Sequence, residues 1–166
     1  MALSPTEIMN KTGIRLPKDA CVVIVRTEWN AHIVDLLEKG CTEQLEQSQV
    51  QYKLVTVPGA FELVFGIKHY WDTHKYKDDR PHAFIALGCV LRGDTPHFEY
   101  VCQAATEGIL QLNLSLPIPS IFGVLTVDSQ LQADERTGGK HGNKGAEAAI
   151  TALKMMSLAD SFKNKK

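Results

Sequence analysis

The chain has 166 residues, 44% hydrophobic and 22% charged, so a single globular domain is expected and disordered or fibrous classes are excluded. Its 18 Lys and Arg against 19 Asp and Glu leave a formal charge of -1, which excludes a nucleic-acid binder relying on a basic surface. The longest nearly apolar stretch, Ala83 to Leu91, is less than half of the roughly 20 residues a membrane helix needs. Met1 to Pro17 lacks a basic start followed by an apolar core, so no secretory signal is expected there. Cys21, Cys41, Cys89 and Cys102 are widely spaced and form no C-x-x-C pair. They read as free thiols in apolar surroundings, as expected of a cytoplasmic protein.

Two hydrophobic periods alternate along the chain. Residues 1–18 read as a polar arm outside the core. Cys21 to Val25 is a continuous apolar run of the kind found in a strand buried on both faces. Ile33, Leu36, Leu37, Cys41 and Leu45 then share one helical face. Leu54 to Val57 reads as a second strand ended by Pro58-Gly59, followed by a helix with Phe61, Val64, Phe65 and Ile67 on its apolar side. Ala83 to Val90 reads as a third strand, and Phe98, Val101, Cys102, Ala105, Ile109 and Leu112 as a helix of about four turns. Pro117 and Pro119 flank entry to a fourth strand, Ile121 to Val127. The rest reads as a short helix from about Ser129, a flexible loop with Gly138, Gly139, Gly142 and Gly145, and an Ala-rich helix from Ala146. This order implies parallel crossovers and a three-layer α/β sandwich: a domain over 19–160 and a polar tail at 161–166.

In such a sheet, ligands bind beyond the carboxyl ends of the strands, and four segments lie there. Arg26-Thr27-Glu28-Trp29-Asn30 reads locally as a helix start, with Asn30 as N-cap and Trp29 as a hydrophobic staple. Functionally, it offers an indole for stacking on a flat heterocycle. In Pro58-Gly59-Ala60-Phe61-Glu62, the small residues let a ligand approach the backbone, and Glu62 can serve either the helix dipole or ligand hydroxyls. Gly88-Cys89-Val90-Leu91-Arg92-Gly93-Asp94-Thr95-Pro96-His97 runs from a strand into a helix whose first N–H groups, with the Thr95 hydroxyl, form a candidate anion site. His97 stands beside it, and an ordinary histidine titrates at about pH 6.5, suited to moving protons. In the fourth segment, Asp134 to Gly145, Arg136 is the candidate phosphate ligand, because its planar fork matches phosphate oxygens.

Other chemistries are missing. There is no G-x-S-x-G elbow, no H-E-x-x-H, no close cysteine pair for zinc and no glycine-rich dinucleotide fingerprint after the first strand. Arg26 stands where a receiver domain needs an acidic cluster, and Arg26 to Trp29 is not the phosphate loop of a flavodoxin.

Taken in order, Trp29-Asn30, Val57 to Glu62, Gly88 to Tyr100, Ile121-Phe122-Gly123 and Glu135-Arg136 to Lys144-Gly145 resemble the lumazine synthase family over roughly residues 20–158. The resemblance implies a flavodoxin-like sandwich with a four-stranded parallel sheet. It implies that 5-amino-6-(D-ribitylamino)uracil and 3,4-dihydroxy-2-butanone 4-phosphate condense to 6,7-dimethyl-8-ribityllumazine, phosphate and water, without metal or organic cofactor. By match of motif, Trp29 stacks on the pyrimidine beside Asn30, and Gly59, Ala60, Phe61 and Glu62 hold the ribityl chain. Cys89, Val90 and Leu91 line the ring pocket, Asp94 and Thr95 occupy the phosphate turn, and His97 moves protons. Phe122 and Arg136 match residues supplied by a neighbouring subunit, Arg136 to the phosphate, with Lys144 a nearby cation. Asp94 is acidic where many members carry a small residue, and Trp29 replaces their phenylalanine. Self-association into pentamers is implied. The connection from Gly138 to Gly145, which carries no insertion, resembles those of chains that build 60-subunit shells. Riboflavin synthase is an implied protein partner. The alternatives are a riboflavin synthase of the same fold and a flavin-binding flavodoxin-like module.

Overall fold

The computed structural model describes residues 5–163. In chain order its elements are α1 (Pro5–Ile8), β1 (Cys21–Thr27), α2 (Ala31–Gln47), β2 (Gln51–Val57), a 3-10 turn (Ala60–Glu62) leading into α3 (Leu63–His74), and β3 (Ala83–Leu91). They continue with α4 (His97–Ser115), β4 (Ser120–Val127), α5 (Gln130–Asp134), β5 (Thr137–Gly139), β6 (Gly142–Asn143) and α6 (Lys144–Lys163). Strands β1 to β4 form a parallel sheet in the order β2-β1-β3-β4.

Side chains alternate across a strand, and β1 buries both sets. Val22 and Ile24 pack with α2 and α6, through Ile33, Leu37, Ile150 and Leu153. Val23 and Val25 pack with α3 and α4, through Leu63, Ile67, Ala105 and Ile109. β3 repeats the pattern, with Ile85 and Leu87 on one side and Phe84 and Ala86 on the other. Each fully buried aliphatic side chain of this kind contributes about 1.5–3 kcal/mol. The result is the expected three-layer sandwich with its four-stranded parallel sheet. No described helix is long and apolar enough to cross a membrane.

The contact between α2 and α6 depends on a glycine. A Cβ on Gly145 would lie 1.9 Å from the Leu37 carbonyl oxygen, so only glycine permits this approach. Asn143 fixes the same junction: its Oδ1 accepts from the Gly145 and Ala146 N–H groups at 2.9 and 3.1 Å. Its Nδ2 donates to Leu36 O at 2.9 Å. Met9, Ile14 and Leu16 of the N-terminal arm lie partly buried against the core, and Lys154 Nζ donates to Ile8 O at 3.0 Å. Residues 1–4 of that arm lie outside the described residues. The stretch expected as a polar tail from 161 is helical to Lys163, and 164–166 lie outside the described residues.

Four sequence expectations are corrected. Phe61 and Phe65 do not face the core; they are 63% and 72% exposed, and α3 buries Leu63, Ile67 and Trp71 instead. On α2, Leu36 is exposed and Val34 takes its place inside. The glycine-rich stretch is not a free loop, because β5 and β6 pair in an antiparallel ladder. Finally, Cys21, Cys41 and Cys89 are buried free thiols, whereas Cys102 is only partly covered.

His82 closes the sheet at the amino ends of the strands. Its Nδ1 accepts the Cys21 N–H at 3.2 Å, and its own N–H donates to Cys21 O at 2.8 Å. Burial first, then the charges of Arg80 and Lys163, hold this imidazole below its ordinary value of 6.5, against the opposing effect of Asp160 and Asp19. The unfolded chain therefore binds the proton more readily, and stability falls as pH drops below about 6.5 toward the lowered folded value. His82→Asn keeps an acceptor for Cys21 but cannot titrate. Its unfolding free energy is expected to vary less with pH than the parent's between about pH 5 and 7. Equal slopes in urea titrations across that range would remove His82 as the source.

Candidate active site

The chain reverses its direction across the sheet between β1 and β3, which leaves a crevice at their carboxyl ends. A cavity of about 390 Å³ opens there, lined by Thr27, Trp29, Asn30, Ala60, Phe61, Glu62, Cys89, Val90, Leu91, His97 and Val101. Nine of these eleven were picked out from sequence as site residues; Thr27 and Val101 were not. Thr27 is a buried polar residue whose Oγ1 donates to Trp29 O at 3.2 Å.

The walls are tied together by backbone and side-chain bonds. Glu28 and Trp29 donate their N–H groups to Val57 O and Pro58 O at 2.8 and 3.0 Å, joining the ends of β1 and β2. Asn30 occupies the N-cap position of α2, but it has φ 58° and ψ 37° and makes no side-chain cap. Asparagine tolerates this left-handed conformation better than most residues. The conformation turns its amide across the crevice, where Nδ2 donates to Cys89 O at 2.9 Å. The expected cap is thus replaced by a bridge from β1 to β3, with the Asn30 Oδ1 atom left for another donor.

Trp29 is not stapled onto α2. It is 63% exposed, and its ring lies over Gly59, where a Cβ would sit 2.6 Å from the indole. The absent side chain of Gly59 is therefore needed first by Trp29. Glu62 curls back so that Oε2 accepts the Gly59 N–H at 3.1 Å, which fixes the 3-10 turn and presents its carboxylate at the cavity. Burial pushes the Cys89 thiol up to about 11, so this sulfur is a protonated wall atom near neutral pH rather than a nucleophile.

His97 is the first residue of α4 and lines the cavity with its exposed side chain. No side chain caps this helix. Asp94 and Thr95 lie on the exposed turn before it, outside the cavity lining.

Phe122, Arg136 and Lys144 lie elsewhere. They line a groove of about 790 Å³ along the free edge of β4, between α4 and α6, which shares no residue with the strand-end cavity. Arg136 Nη1 donates to Gln132 O at 2.9 Å, which holds the guanidinium in the groove. Lys144 Nζ lies 2.8 and 2.9 Å from the two carboxylate oxygens of Glu147, which offsets much of its charge. Sequence reasoning missed Glu147, although the i, i+3 spacing of Lys144 and Glu147 is visible once the helix start is known. Among the described residues no group of three His, Cys, Asp or Glu side chains is arranged to hold a metal ion.

A profile described as 6,7-dimethyl-8-ribityllumazine synthase matches residues 19–160. A protein of that name from Porphyromonas gingivalis is 49% identical over 144 residues, covering 85% of this chain and 86% of its own. One from Parabacteroides distasonis is 48% identical over 139 residues, covering 82% and 84%. One from Christiangramia forsetii is 41% identical over 157 residues, covering 93% and 91%.

Replacing Trp29 tests the cavity directly. Trp29→Ala is expected to weaken binding of a flat pyrimidine by at least the roughly 0.5–1.5 kcal/mol of an aromatic pair, whereas Trp29→Phe keeps the stack. Calorimetric titration reads the difference. Undiminished binding by the alanine variant would reduce Trp29 to a cover for Gly59.

Proposed function

The chain belongs to the 6,7-dimethyl-8-ribityllumazine synthase family, and from that premise we infer that the crevice between β1 and β3 is where it forms the lumazine. The enzyme is a transferase of riboflavin biosynthesis that condenses 5-amino-6-(D-ribitylamino)uracil with 3,4-dihydroxy-2-butanone 4-phosphate. The relatives carry the lumazine synthase name over most of both chains, so the riboflavin synthase and flavin-module alternatives are set aside.

The observation that carries the site assignment is the meeting of Trp29, Glu62, the Cys89–Leu91 wall and His97 around one cavity. Trp29 supplies a face for the pyrimidine. Asn30 Oδ1, Glu62 and the backbone of Cys89 to Leu91 supply polar groups for ring edges and ribityl hydroxyls. The uracil amine attacks the ketone, and water leaves as the imine forms. Phosphate is then eliminated, and the second amine closes the ring with loss of a second water. His97 relays protons in these steps, a contribution of about 10²–10⁴-fold. Holding two reactants together supplies much of the rest, since the amine is already nucleophilic. The uncapped start of α4, with Thr95, receives the phosphate, and Asp94 stands on the same exposed turn.

Arg136, Phe122 and Lys144 reach this chemistry from a neighbouring copy. Within one chain they open on a different cavity, at the β4 edge, so a complete site requires two chains. Such a contact joins unlike surfaces and closes as a ring, here a pentamer or a 60-subunit shell of pentamers. Buried reduced thiols support a cytoplasmic location. No surface of this chain is assigned to riboflavin synthase.

Lumazine absorbance and phosphate release with the two substrates test the reading. His97→Ala is expected to lower turnover by about 10²-fold or more without loss of fold, and unchanged turnover would remove His97 from the mechanism. His97→Ala and Arg136→Ala chains, dissociated and reassembled together, are expected to regain activity above either parent. Efficient reassembly without recovery would put both residues to work in one chain.

A further inference from the structure

The turn between β3 and α4 carries the proposed phosphate contacts and leads into His97, yet little of its own structure holds it. Among the described residues Gly93, Asp94 and Thr95 make no hydrogen bond, and all three are exposed. Both stems of the turn are held instead by one side chain that the proposed chemistry does not use.

The Arg92 N–H donates to Val127 O at 2.9 Å, which continues the β3–β4 ladder by one bond. Its Nε donates to Asp128 Oδ1 at 2.5 Å, and its Nη1 pairs with the Glu99 carboxylate. Its guanidinium carbon lies 4.0 Å from the centre of the Phe98 ring. Asp128 is itself fixed, because its N–H donates to Gln132 Oε1 at 2.8 Å at the start of α5. Arg92 thus joins the residue entering the turn, the first helical turn leaving it, and the end of the neighbouring strand. The guanidinium's fork and plane serve two carboxylates and a ring at once, which an ammonium cannot reproduce.

We infer that Arg92 is a positioning residue for the reaction, holding the Gly93–His97 turn through Asp128, Glu99 and Phe98 rather than binding substrate itself. The inference rests on the site assignment proposed above. Two carboxylates already occupy Nε and Nη1, and the guanidinium in turn holds the Glu99 carboxyl below its ordinary range. A phosphate would have to displace these partners, with Asp94 nearby in sequence adding a further negative charge.

The test compares the parent with R92Q, R92K and the double variant E99Q/D128N, by steady-state kinetics in both substrates and by amide hydrogen exchange at positions 92 and 99, whose N–H groups bond to Val127 O and Pro96 O on the two stems. Loosening the turn is expected to raise KM for the phosphate-bearing substrate and lower kcat in R92Q, together costing about ten- to a hundredfold, since small misplacements carry penalties of that order. KM for the pyrimidine and the melting temperature should stay near the parent's, because the Arg92 side chain's partners, Asp128, Glu99 and Phe98, neither line the cavity nor belong to the core. E99Q/D128N should reproduce the loss, R92K should recover only part of it, and exchange at positions 92 and 99 should quicken in all three. Parental kinetics in E99Q/D128N would overturn the inference in favour of a direct phosphate ligand. Unchanged exchange in R92Q, or an equal loss for both substrates with a lowered melting temperature, would overturn it in favour of a structural role or none. Failure of the parent to form lumazine would instead remove the site assignment, and the exchange experiment, which needs no substrate, would still decide whether Arg92 holds the turn.

Discussion

Because β2 and β3 pair with β1 on opposite sides, the chain must reverse its direction of travel across the sheet after β2. Parallel crossovers are right-handed, so reversing direction also changes the face on which the connecting helix lies. That is why α2 packs on one face of β1 and α3 on the other. At the carboxyl ends the two connections diverge, and the space between them is the strand-end cavity. The Asn30 amide spans the same gap, donating from the end of β1 to Cys89 O on β3. The cavity is a consequence of strand order, and the Asn30 bond to Cys89 O spans it beyond the end of the β1–β3 ladder.

The strands and the longer helices were legible because their burial is nearly complete and their periods are clean. The cavity residues were legible because they cluster in short segments at the strand ends. What escaped has identifiable physical causes. Phe61, Val64 and Phe65 look like a helical stripe, but Ala60–Glu62 is a 3-10 turn with about three residues per turn, which shifts the phase before α3 begins. The stripe that counts is Leu63, Ile67 and Trp71. Asn30 has the right residue type for a cap, yet its left-handed backbone directs the amide away from its own helix. The role of Arg92 was not legible in the Gly88–His97 segment, because its partner Asp128 lies 36 residues away and only the β3–β4 register brings them together.

Exposure bears on the proposed assembly. A packed single chain rarely leaves large apolar surfaces together without a use for them. Here Leu54 in the middle of β2, Phe61 in the 3-10 turn and Phe65 on α3 are exposed, and Leu110, Phe122 and Met155 border the groove at the β4 edge. β2 and β4 are the two outer strands of one sheet, so Leu54 and Phe122 stand at its opposite edges. An edge strand with a free ladder invites pairing or covering, and in the proposed ring contact between opposite edges of successive copies would satisfy both at once.

The same geometry bears on affinity. Trp29 and Phe61 are each 63% exposed, so in a lone chain a bound pyrimidine would be stacked on one side and open to water on the other. Electrostatic contacts to phosphate also weaken in open water, where the effective dielectric constant is high. Bringing the Phe122 and Arg136 edge of another copy over this cavity would exclude water from both substrates. It would also add a guanidinium that Gln132 O already holds in place. In the proposed ring, association and catalysis would draw on the same buried surface, and the apolar edges would also supply the low-dielectric environment in which an arginine and a helix start can hold a phosphate.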